Sequence, residues 1–449
     1  MKNKRPNKKK SILFISNAYP PNPAVGGKRI EKMRTFFEGH SFDAYVVAET
    51  YKVDKEVMSP KGDERTVYVK SVNNPVPLSS GPWPEYGEKS AEKCDDNIET
   101  NILQKISREL VISANLIRHL LVFPDNKNLW IVGGFLTAMK IIRKHGVQYV
   151  LSSSPPFSSN IIGILLKVIF PKVFLIVDFR DPFVFGNELY SRDVILVSKK
   201  RLLEWVVTRA DLVLVTTEHS LELLEQLYSD KTEGKVLILP NGITTNLFKN
   251  VNKQKEEGPE RVLCHLGDLD YKHRNPEPLI RAVYELISEG RIRRDETIIQ
   301  FYGQSGTWGG KTINDMVKGY GLKDTIRVYE TVPHDAALTI MKNCDGLVLL
   351  AENQREMIPA KTYEYLYAGK PILCFVDKGS ATYNLLKNFK DVWLVSSEDM
   401  NNTKDALAHL LRYPKGQERT LTETEMKKIS FEYHLDQVIE LFDKRTQQA

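Results

Sequence analysis

The stretch 345–375, DGLVLLAENQREMIPAKTYEYLYAGKPILCF, constrains the fold more than any other part of the chain. Its apolar run at 346–350 has the length and composition of a buried parallel strand. A polar loop follows, and a helix is then predicted over Ala360–Ala368, with Pro359 suited to its first turn and Gly369 to its left-handed cap. A second apolar run comes next. This order predicts a parallel α/β sheet, with the loop and the helix N-terminus at its carboxyl edge, where open α/β sheets bind ligands.

Two carboxylates and one cation stand at that predicted edge. Glu356 is in the loop, Glu364 is in the helix with seven residues between the two, and Lys361 is in the first helical turn. A carboxylate accepts hydrogen bonds from two neighbouring hydroxyls, as a sugar diol presents them, and a helix N-terminus favours anions. Any one of these residues alone would fit a solvated, charged helix start. Together they suit a ligand with phosphate in the middle and a sugar at each end.

The stretch resembles the E-x7-E motif of retaining GT-B-fold glycosyltransferases, the family 4-like or group 1 enzymes. Its PAKTYEYLYAGKP segment is similar to the P-x-K-x-x-E-Y-x-x-x-G-K-P variant of a bacterial surface-glycan subset. The resemblance implies that Glu356 meets the donor sugar and Glu364 the nucleotide ribose, with Pro359 and Ala360 in the same binding site. The common family form has Gly-Phe-Gly after the first Glu, where this chain has Met-Ile-Pro. We therefore expect Lys361 to carry more of the contact with the diphosphate.

Composition bounds the class of protein. The chain has 449 residues, enough for two or three domains, and a net charge of +6 with no basic–aromatic motif, which argues against nucleic acid binding. Its four scattered cysteines have no metal-ligand or disulfide spacing and suit a reducing compartment. No apolar run is long enough for a signal-peptide core or a membrane span, so we expect a cytoplasmic protein. The basic tail 1–10 and an apolar stripe at 101–121 suit either peripheral membrane contact or ordinary solvated and core-facing segments.

The first predicted strand, at 11–16, leads into a loop that ends in Gly26 and Gly27. A glycine pair between a strand and a helix lets the backbone approach a phosphate, although glycines at tight turns are common. The Tyr-Pro-Pro…Gly-Gly arrangement resembles the first loop of the same family. That resemblance implies a place over the donor diphosphate and near the acceptor.

Two later turns in this half also carry polar side chains. Ser-Ser-Pro-Pro follows a strand predicted at 149–152, and Asp178, Phe, Arg180, Asp181 and Pro follow a strand predicted at 173–177. Carboxyl ends of parallel strands share one sheet edge, so we expect these clusters in the cleft; an Arg180–Asp181 ion pair in a plain turn is the alternative. Both turns resemble stretches of the bacterial subset, with Phe in place of Trp. Many family members carry a His near here that meets the donor sugar, and this chain shows none.

The Pro-Asn-Gly-Ile segment at 240–243 resembles the family hinge, with Thr244 in place of the usual Asp. A polar, lysine-rich stretch follows at 249–260. We therefore predict an N-terminal acceptor-side domain over 1–248, a nucleotide-sugar-binding domain over 256–419, and a final helix over 420–449 that packs back on the first domain.

The second half opens on a strand and then Gly267, with Asp268 and Asp270 after it. The D-x-D spacing suggests a divalent metal on a diphosphate. D-x-D glycosyltransferases have a different, single-sheet fold, whereas this chain repeats strand–helix units twice, so we predict no metal. The family often has Arg directly after this Gly and Lys a few residues on. Here Asp268 takes the Arg position, and Lys272 and Arg274 straddle the Lys position.

Of these two cations, resemblance to a related G-x-L-Y-x-x-R-x-P variant of the family implies Arg274 for the diphosphate, although this chain has one extra residue, Asp270, before the Tyr. The Arg274 guanidinium is suited to bidentate phosphate contact. Further along the chain, the turn that begins at Gly303 resembles the family's G-x-G turn near the nucleotide base.

The predicted fold is thus GT-B: two doubly wound Rossmann-like α/β domains with a cleft between them. The function that the resemblance implies is transfer of a sugar, with retention, from a nucleoside diphosphate donor to a glycan or lipid-linked acceptor in surface polysaccharide assembly. We expect this transfer to need neither a metal nor a cofactor. Glu356, Arg274, Lys361 and Asp181 are the candidate catalytic residues. Two alternatives stay open: a nucleotide-sugar 2-epimerase of the same fold, with Asp178 or Asp181 as base, and a non-catalytic sugar-nucleotide-binding subunit.

Overall fold

The computed structural model describes residues 9–22, 24–53, 56–58, 64–70, 123–188, 194–249, 251, 258–269, 273–308 and 310–448. The chain divides into two compact units. The first consists of Met1–Leu214 and Tyr228–Val236, and the second of Val215–Leu227 and Leu237–Ala449. The predicted helix at 101–121 lies outside the described residues.

The first unit is built on a sheet in the order β5-β2-β1-β6-β7-β8-β9. The pairs β1–β2, β1–β6, β6–β7 and β2–β5 are parallel, and β3 and β4 form a separate antiparallel hairpin. The strands described in this part of the chain are β1 (Ser11–Ile15), β2 (Asp43–Glu49), β3 (Tyr51–Val53), β4 (Glu56–Met58), β5 (Thr66–Val69), β6 (Tyr149–Ser154), β7 (Phe174–Phe179), β8 (Leu212–Val215) and β9 (Val236–Ile238). The helices between them are α1 (Val25–Gly39), α2 (Trp130–His145), α3 (Ser158–Ile169), α4 (Val194–Arg209) and α5 (Glu218–Thr232). Helix α5 begins in the second unit, which includes Val215–Leu227, and ends in the first.

The second unit is built on a parallel sheet in the order β14-β11-β10-β15-β16-β17. Its strands, with the short antiparallel pair β12–β13, are β10 (Arg261–Leu266), β11 (Thr297–Tyr302), β12 (Thr307–Trp308), β13 (Lys311–Thr312), β14 (Ile326–Tyr329), β15 (Gly346–Ala351), β16 (Ile372–Val376) and β17 (Val392–Val395). Its further helices are α6 (Glu277–Ser288), α7 (Ile313–Gly319), α8 (His334–Asn343), α9 (Ala360–Ala368), α10 (Ala381–Leu386), α11 (Met400–Leu411), α12 (Glu423–Ile429) and α13 (Phe431–Gln448).

Helices cover both faces of the second sheet, because its strands are apolar on both sides. Successive residues of β10 fall into different core clusters: Leu263 packs with α6 and α11, while Cys264 packs with α8 and α9. A strand buried on both faces is expected of a doubly wound parallel sheet. The structure therefore confirms the prediction of two Rossmann-like α/β domains.

Two predicted elements end differently in the structure. Strand β7 runs to Phe179, so Asp178 lies inside the strand and not in the turn after it; the reason is that Ser153 and Ser154 of β6 continue the ladder opposite Asp178 and Phe179. The single helix predicted over 420–449 is two helices, α12 and α13, interrupted at Ser430.

The interruption has a tertiary cause. Ser430 forms a parallel bridge with Ile243, whose N–H donates to Ile429 O (2.8 Å) and whose carbonyl accepts from Phe431 N (2.9 Å). Gly242, at φ +22°, leaves no room for a Cβ, which would lie 2.9 Å from Ile429 O. The segment 240–243 and the α12–α13 junction thus hold each other through backbone hydrogen bonds. The prediction that the C-terminal helix packs on the first domain stays a prediction.

Candidate active site

Helix α9 has the bounds that its sequence predicts. Pro359 is its N-cap residue, with φ −54° and ψ 134°, one position before the predicted first turn, and Gly369 closes the helix at φ 76°. Tyr363 and Tyr365 are buried at 1% and 0% exposure. The hydroxyl of Tyr365 accepts from the Leu266 N–H at 2.8 Å, which ties α9 to the carboxyl end of β10. The helix start is therefore fixed at the edge of the second sheet.

The far end of α9 is also held. The Lys342 ammonium donates to Ala368 O (3.0 Å) and the Arg419 guanidinium to Leu366 O (2.8 Å). Cations at the carbonyl end of a helix oppose its negative partial charge and satisfy its free acceptors. The orientation of α9 is thus set at both ends by groups that lie outside the candidate site.

The first turns of α9 carry an ion pair. Lys361 Nζ lies 2.7 Å from Glu364 Oε2, and the two side chains are 29% and 17% exposed. Pro359 offers no side-chain oxygen to cap the N–H groups of this turn. Free N–H groups and a partly exposed ammonium at one helix start can bind an anion, while the adjacent carboxylate can accept from hydroxyls. The structure thus brings Pro359, Ala360, Lys361 and Glu364 together in the first two turns of the helix.

The loop 352–358 carries Glu356, whose side chain is half-buried. Asn353, at φ 60°, donates its N–H to Asp377 (2.6 Å), and Glu352 accepts from the Ser397 N–H (2.7 Å). Burial is the largest influence on the Glu352 carboxyl and raises its pKa, against the hydrogen bonds from Ser397. The loop is therefore held to the carboxyl ends of β16 and β17 along its first half.

A second loop of this unit carries the predicted diphosphate residues. Gly303, at φ 148°, packs so closely on the Gly267 carbonyl that a Cβ there would overlap it, which only glycine permits. The Gly267 N–H donates to Tyr302 O (2.9 Å), and Asp268 accepts from Gln304 N (3.0 Å). Arg274 Nη1 donates to Asp268 O (3.0 Å). The turn after β10, which carries Gly267 and Arg274, is therefore hydrogen-bonded within itself and packs on the turn after β11, which carries Gly303.

Lys272, predicted to bind substrate, and Asp270 of the D-x-D spacing both lie outside the described residues. Among the residues that the structure does describe, no group of three or more His, Cys, Asp and Glu side chains is placed to hold a metal ion.

His265 is a residue of this region that the sequence analysis did not identify. Its imidazole is 3% exposed, and Nδ1 lies 3.0 Å from Val348 O. Burial lowers the pKa of His265 to about 4, with Arg274 acting in the same direction and the hydrogen bond to Val348 opposing it. The neutral ring therefore lies under the Gly267 turn at neutral pH. A histidine inside an apolar strand, as in RVLCHL, was the available sequence signal.

The first unit gathers the other predicted residues around Arg180. Its Nε donates to Ser154 O (3.2 Å), and Nη2 donates to Pro155 O. The guanidinium lies against Gly26 in the first turn of α1, where a Cβ would overlap it, and a Cβ on Gly27 would lie 3.1 Å from the Tyr19 Cα. Gly26 and Gly27 thus make room for an arginine and for the chain of the preceding loop. The approach of a phosphate to this turn stays a prediction.

Asp178 is fully buried and paired. Its carboxylate accepts from Arg29 Nε (3.2 Å) and Nη2 (2.8 Å) and from the Ser153 hydroxyl (2.7 Å), and Arg29 is itself only 4% exposed. The pair joins α1 to the carboxyl ends of β6 and β7. Arg29 was not identified from the sequence; its place two residues after the glycine pair was the only local signal.

Asp181 lies just beyond this pair. Burial is the largest influence and raises the pKa of its carboxyl, while the nearby Arg180 and Arg29 guanidinium groups lower it and Asp178 raises it further. A raised carboxyl pKa in a polar turn is typical of groups that exchange protons, and also of buried ion-pair networks.

None of the helices in the described ranges is long and apolar enough to cross a membrane.

Comparison with known protein families gives one match, in the second half of the chain. Residues 248–446 match the family described as Glycosyl transferases group 1, a segment that includes Arg274, Glu356, Lys361 and Glu364. No curated protein matches the chain.

Solved structures share its fold along nearly its full length. Sucrose-phosphate synthase from Thermosynechococcus elongatus is 13% identical, with 98% of this chain and 100% of that chain covered and a TM-score of 0.63. HepE from Anabaena, in complex with UDP-glucose, is 12% identical (97% and 99% covered, TM-score 0.55), and the lipopolysaccharide outer core galactosyltransferase WaaB is 12% identical (97% and 99%, TM-score 0.57). The chain has the GT-B fold, and its residues 248–446 are similar to the group 1 glycosyltransferases.

Proposed function

We propose that this protein is a glycosyltransferase that moves a sugar from a nucleoside diphosphate donor to a glycan or lipid-linked acceptor. The observation that carries the proposal is the E-x7-E segment: it folds as a braced loop and a helix at the carboxyl edge of the second sheet, inside the segment that matches group 1 glycosyltransferases. A helix N-terminus with a lysine suits a diphosphate, and a carboxylate on each side suits a sugar diol.

The residues take distinct roles in this proposal. Glu364, oriented by Lys361 at 2.7 Å, accepts from the ribose hydroxyls, and Glu356 orients the donor sugar. Lys361, Arg274 and the α9 N-terminus stabilise the charge that grows on the departing diphosphate. With that charge met by protein groups, catalysis needs neither a metal nor another cofactor.

We also propose that transfer retains the anomeric configuration, as in family 4. Front-face attack lets the departing phosphate take the acceptor proton, so no separate base is required. The burial of Asp178 supports this proposal, because Arg29 and Ser153 already occupy its carboxylate oxygens. Asp181 is the remaining first-unit candidate for a base.

A surface-polysaccharide role and a cytoplasmic, membrane-peripheral location complete the proposal. The similarity of fold to WaaB, whose name specifies lipopolysaccharide, supports the role, and the basic tail 1–10 supports the location. Sedimentation with vesicles of anionic phospholipid at low salt is the test of location: equal partition with and without vesicles would remove it.

The function is tested by incubating the protein with UDP-, GDP-, dTDP- and ADP-sugars and measuring nucleotide release and sugar products. We expect one donor class to release nucleoside diphosphate, and Glu364→Ala to lose this release. Glu423→Ala is a matched control, since Glu423 also pairs with a lysine on a helix of the second unit (2.6 Å to Lys427). An epimerised sugar nucleotide would establish the 2-epimerase instead, and binding without turnover the non-catalytic subunit.

A further inference from the structure

Three consecutive carbonyls of the Glu356 loop accept hydrogen bonds from two other parts of the second unit. Arg355 O accepts from the Ala381 N–H (2.8 Å), Glu356 O from the Thr217 hydroxyl (2.8 Å), and Met357 O from the Thr382 hydroxyl (3.2 Å). Thr217 precedes α5, and the other two donors begin α10. We call this set of three hydrogen bonds the carbonyl bracket.

The donors of the carbonyl bracket are buried and are themselves held. Thr217 and Thr382 are 3% and 0% exposed. The Thr217 hydroxyl also accepts from the Ser220 N–H (3.1 Å), as a helix-capping threonine does, so its position is fixed by α5. A further link joins the same two helix starts, because His219 Nε2 lies 2.9 Å from Gly379 O.

The bracket fixes the direction of one side chain. The peptide planes on the two sides of the Glu356 Cα are those of the Arg355 and Glu356 carbonyls, and two planes together set φ, ψ and hence the Cα–Cβ direction. Both peptide planes are held by hydrogen bonds to their carbonyls, and the hydrogen bond to the Met357 carbonyl holds the next plane as well. The carboxylate therefore starts from a fixed Cα–Cβ direction.

We propose that Thr217 and Thr382 are positioning residues for Glu356: they fix its backbone, and so the direction in which its side chain leaves the loop toward the donor sugar, before substrate arrives. This inference rests on the proposed glycosyl transfer. The sequence Met-Ile-Pro after Glu356 contains no glycine, so this part of the loop lacks the backbone freedom that glycine would give. The carbonyl bracket holds the loop in one conformation. Its two hydroxyl groups come from distant parts of the chain: Thr382 is 25 residues from the carbonyl that it binds, and Thr217 is 139 residues from its own.

The test compares Thr217→Val and Thr382→Val with Thr217→Ser and Thr403→Val. Valine keeps the shape and removes the hydroxyl, serine keeps the hydroxyl, and Thr403 is a matched control: it is 0% exposed and donates to a single carbonyl, Ser396 O at 3.2 Å. A small displacement of a positioned catalytic group lowers the rate by a large factor. We therefore expect kcat to fall roughly 10- to 100-fold in Thr217→Val and in Thr382→Val.

The affinity for the released nucleoside diphosphate should stay within about twofold, since α9 is fixed independently at both ends, and Thr217→Ser should recover most of the lost kcat. A Thr217→Val enzyme with the kcat of Thr403→Val would overturn the inference, as would a parallel loss of nucleotide affinity and thermal stability.

Hydrogen exchange separates this inference from the proposed function. The peptide spanning 352–358 should exchange faster in Thr217→Val than in Thr403→Val, whether or not any donor is turned over. Equal exchange would refute the bracket. A wild-type protein that turns over no sugar nucleotide would refute the proposed function and leave the exchange result to decide whether the loop is held as described.

Discussion

Replacing Arg29 by Met should destabilise the first unit far more than an ordinary surface change. Two unit charges 2.8 Å apart attract by roughly 6 kcal/mol at an effective dielectric constant of about 20. Desolvation offsets much of that attraction, but removing one partner leaves Asp178, 0% exposed, as a buried and uncompensated charge. Breaking a buried pair in this way costs about 3–5 kcal/mol of unfolding free energy. That is a large part of the roughly 5–15 kcal/mol that stabilises a domain.

Urea unfolding of wild type, Arg29→Met, Asp178→Asn and the double variant measures this cost and its origin. The double variant removes both charges, so we expect it to be at least as stable as Arg29→Met alone, a strongly non-additive cycle. Arg65→Met is the control, because Arg65 pairs with Asp43 at 3.0 Å in the same unit but is 44% exposed, and should lose no more than about 1 kcal/mol. Equal losses for Arg29 and Arg65, or additive effects in the cycle, would refute the account of Asp178 as a buried structural anchor.

Three further predictions concern the second unit. Glu364→Ala should weaken nucleotide binding by about 1.5–3 kcal/mol in calorimetry, because the ribose loses a charged acceptor; unchanged affinity in a folded variant would remove this role. His265 has a folded pKa of about 4 against an unfolded value near 6.5, so its contribution to stability is full above about pH 6.5 and is lost as the pH falls toward 4. His265→Phe should flatten the stability profile over that window, and an unchanged slope would contradict the burial argument. Turnover should survive EDTA; abolition with rescue by Mn²⁺ would restore the metal reading of Asp268 and Asp270.

Local sequence signals predicted the elements that local residues determine. Helix α9 has the predicted bounds because two local residues mark its ends: Pro359 has no N–H to donate and suits a helix start, and Gly369 adopts the left-handed φ of 76° that few other residues adopt. The strands predicted at 11–16, 149–152 and 173–177 lie within two residues of β1, β6 and β7, because buried apolar runs identify them. Strand β5 (Thr66–Val69) was not predicted. The unpredicted details are tertiary: β7 is lengthened by its partner β6, and the last helix is interrupted by Ile243, 187 residues before Ser430 in the chain.

The candidate site divides in the same way. The E-x7-E residues and Arg274 could be named from their spacing and a family resemblance. Arg29 and Thr217 could not, since they act on partners 149 and 139 residues away, and an arginine in a helix or a threonine before one has no distinctive pattern of its own. The roles of Gly26 and Gly27 were likewise set by what packs on them, Arg180 and the Tyr19 backbone.

The central claim, sugar transfer with retention, is tested most directly by NMR of the anomeric carbon. A donor that releases its nucleotide in the panel is prepared with a ¹³C-labelled, α-linked sugar and incubated with the protein and a glycan or lipid-linked acceptor. The account predicts a new α-linked glycosidic signal, absent in Glu356→Ala. A β-linked product that is lost in Asp181→Asn would make the enzyme inverting, and a label found only in free sugar or in an epimerised donor would contradict glycosyl transfer itself.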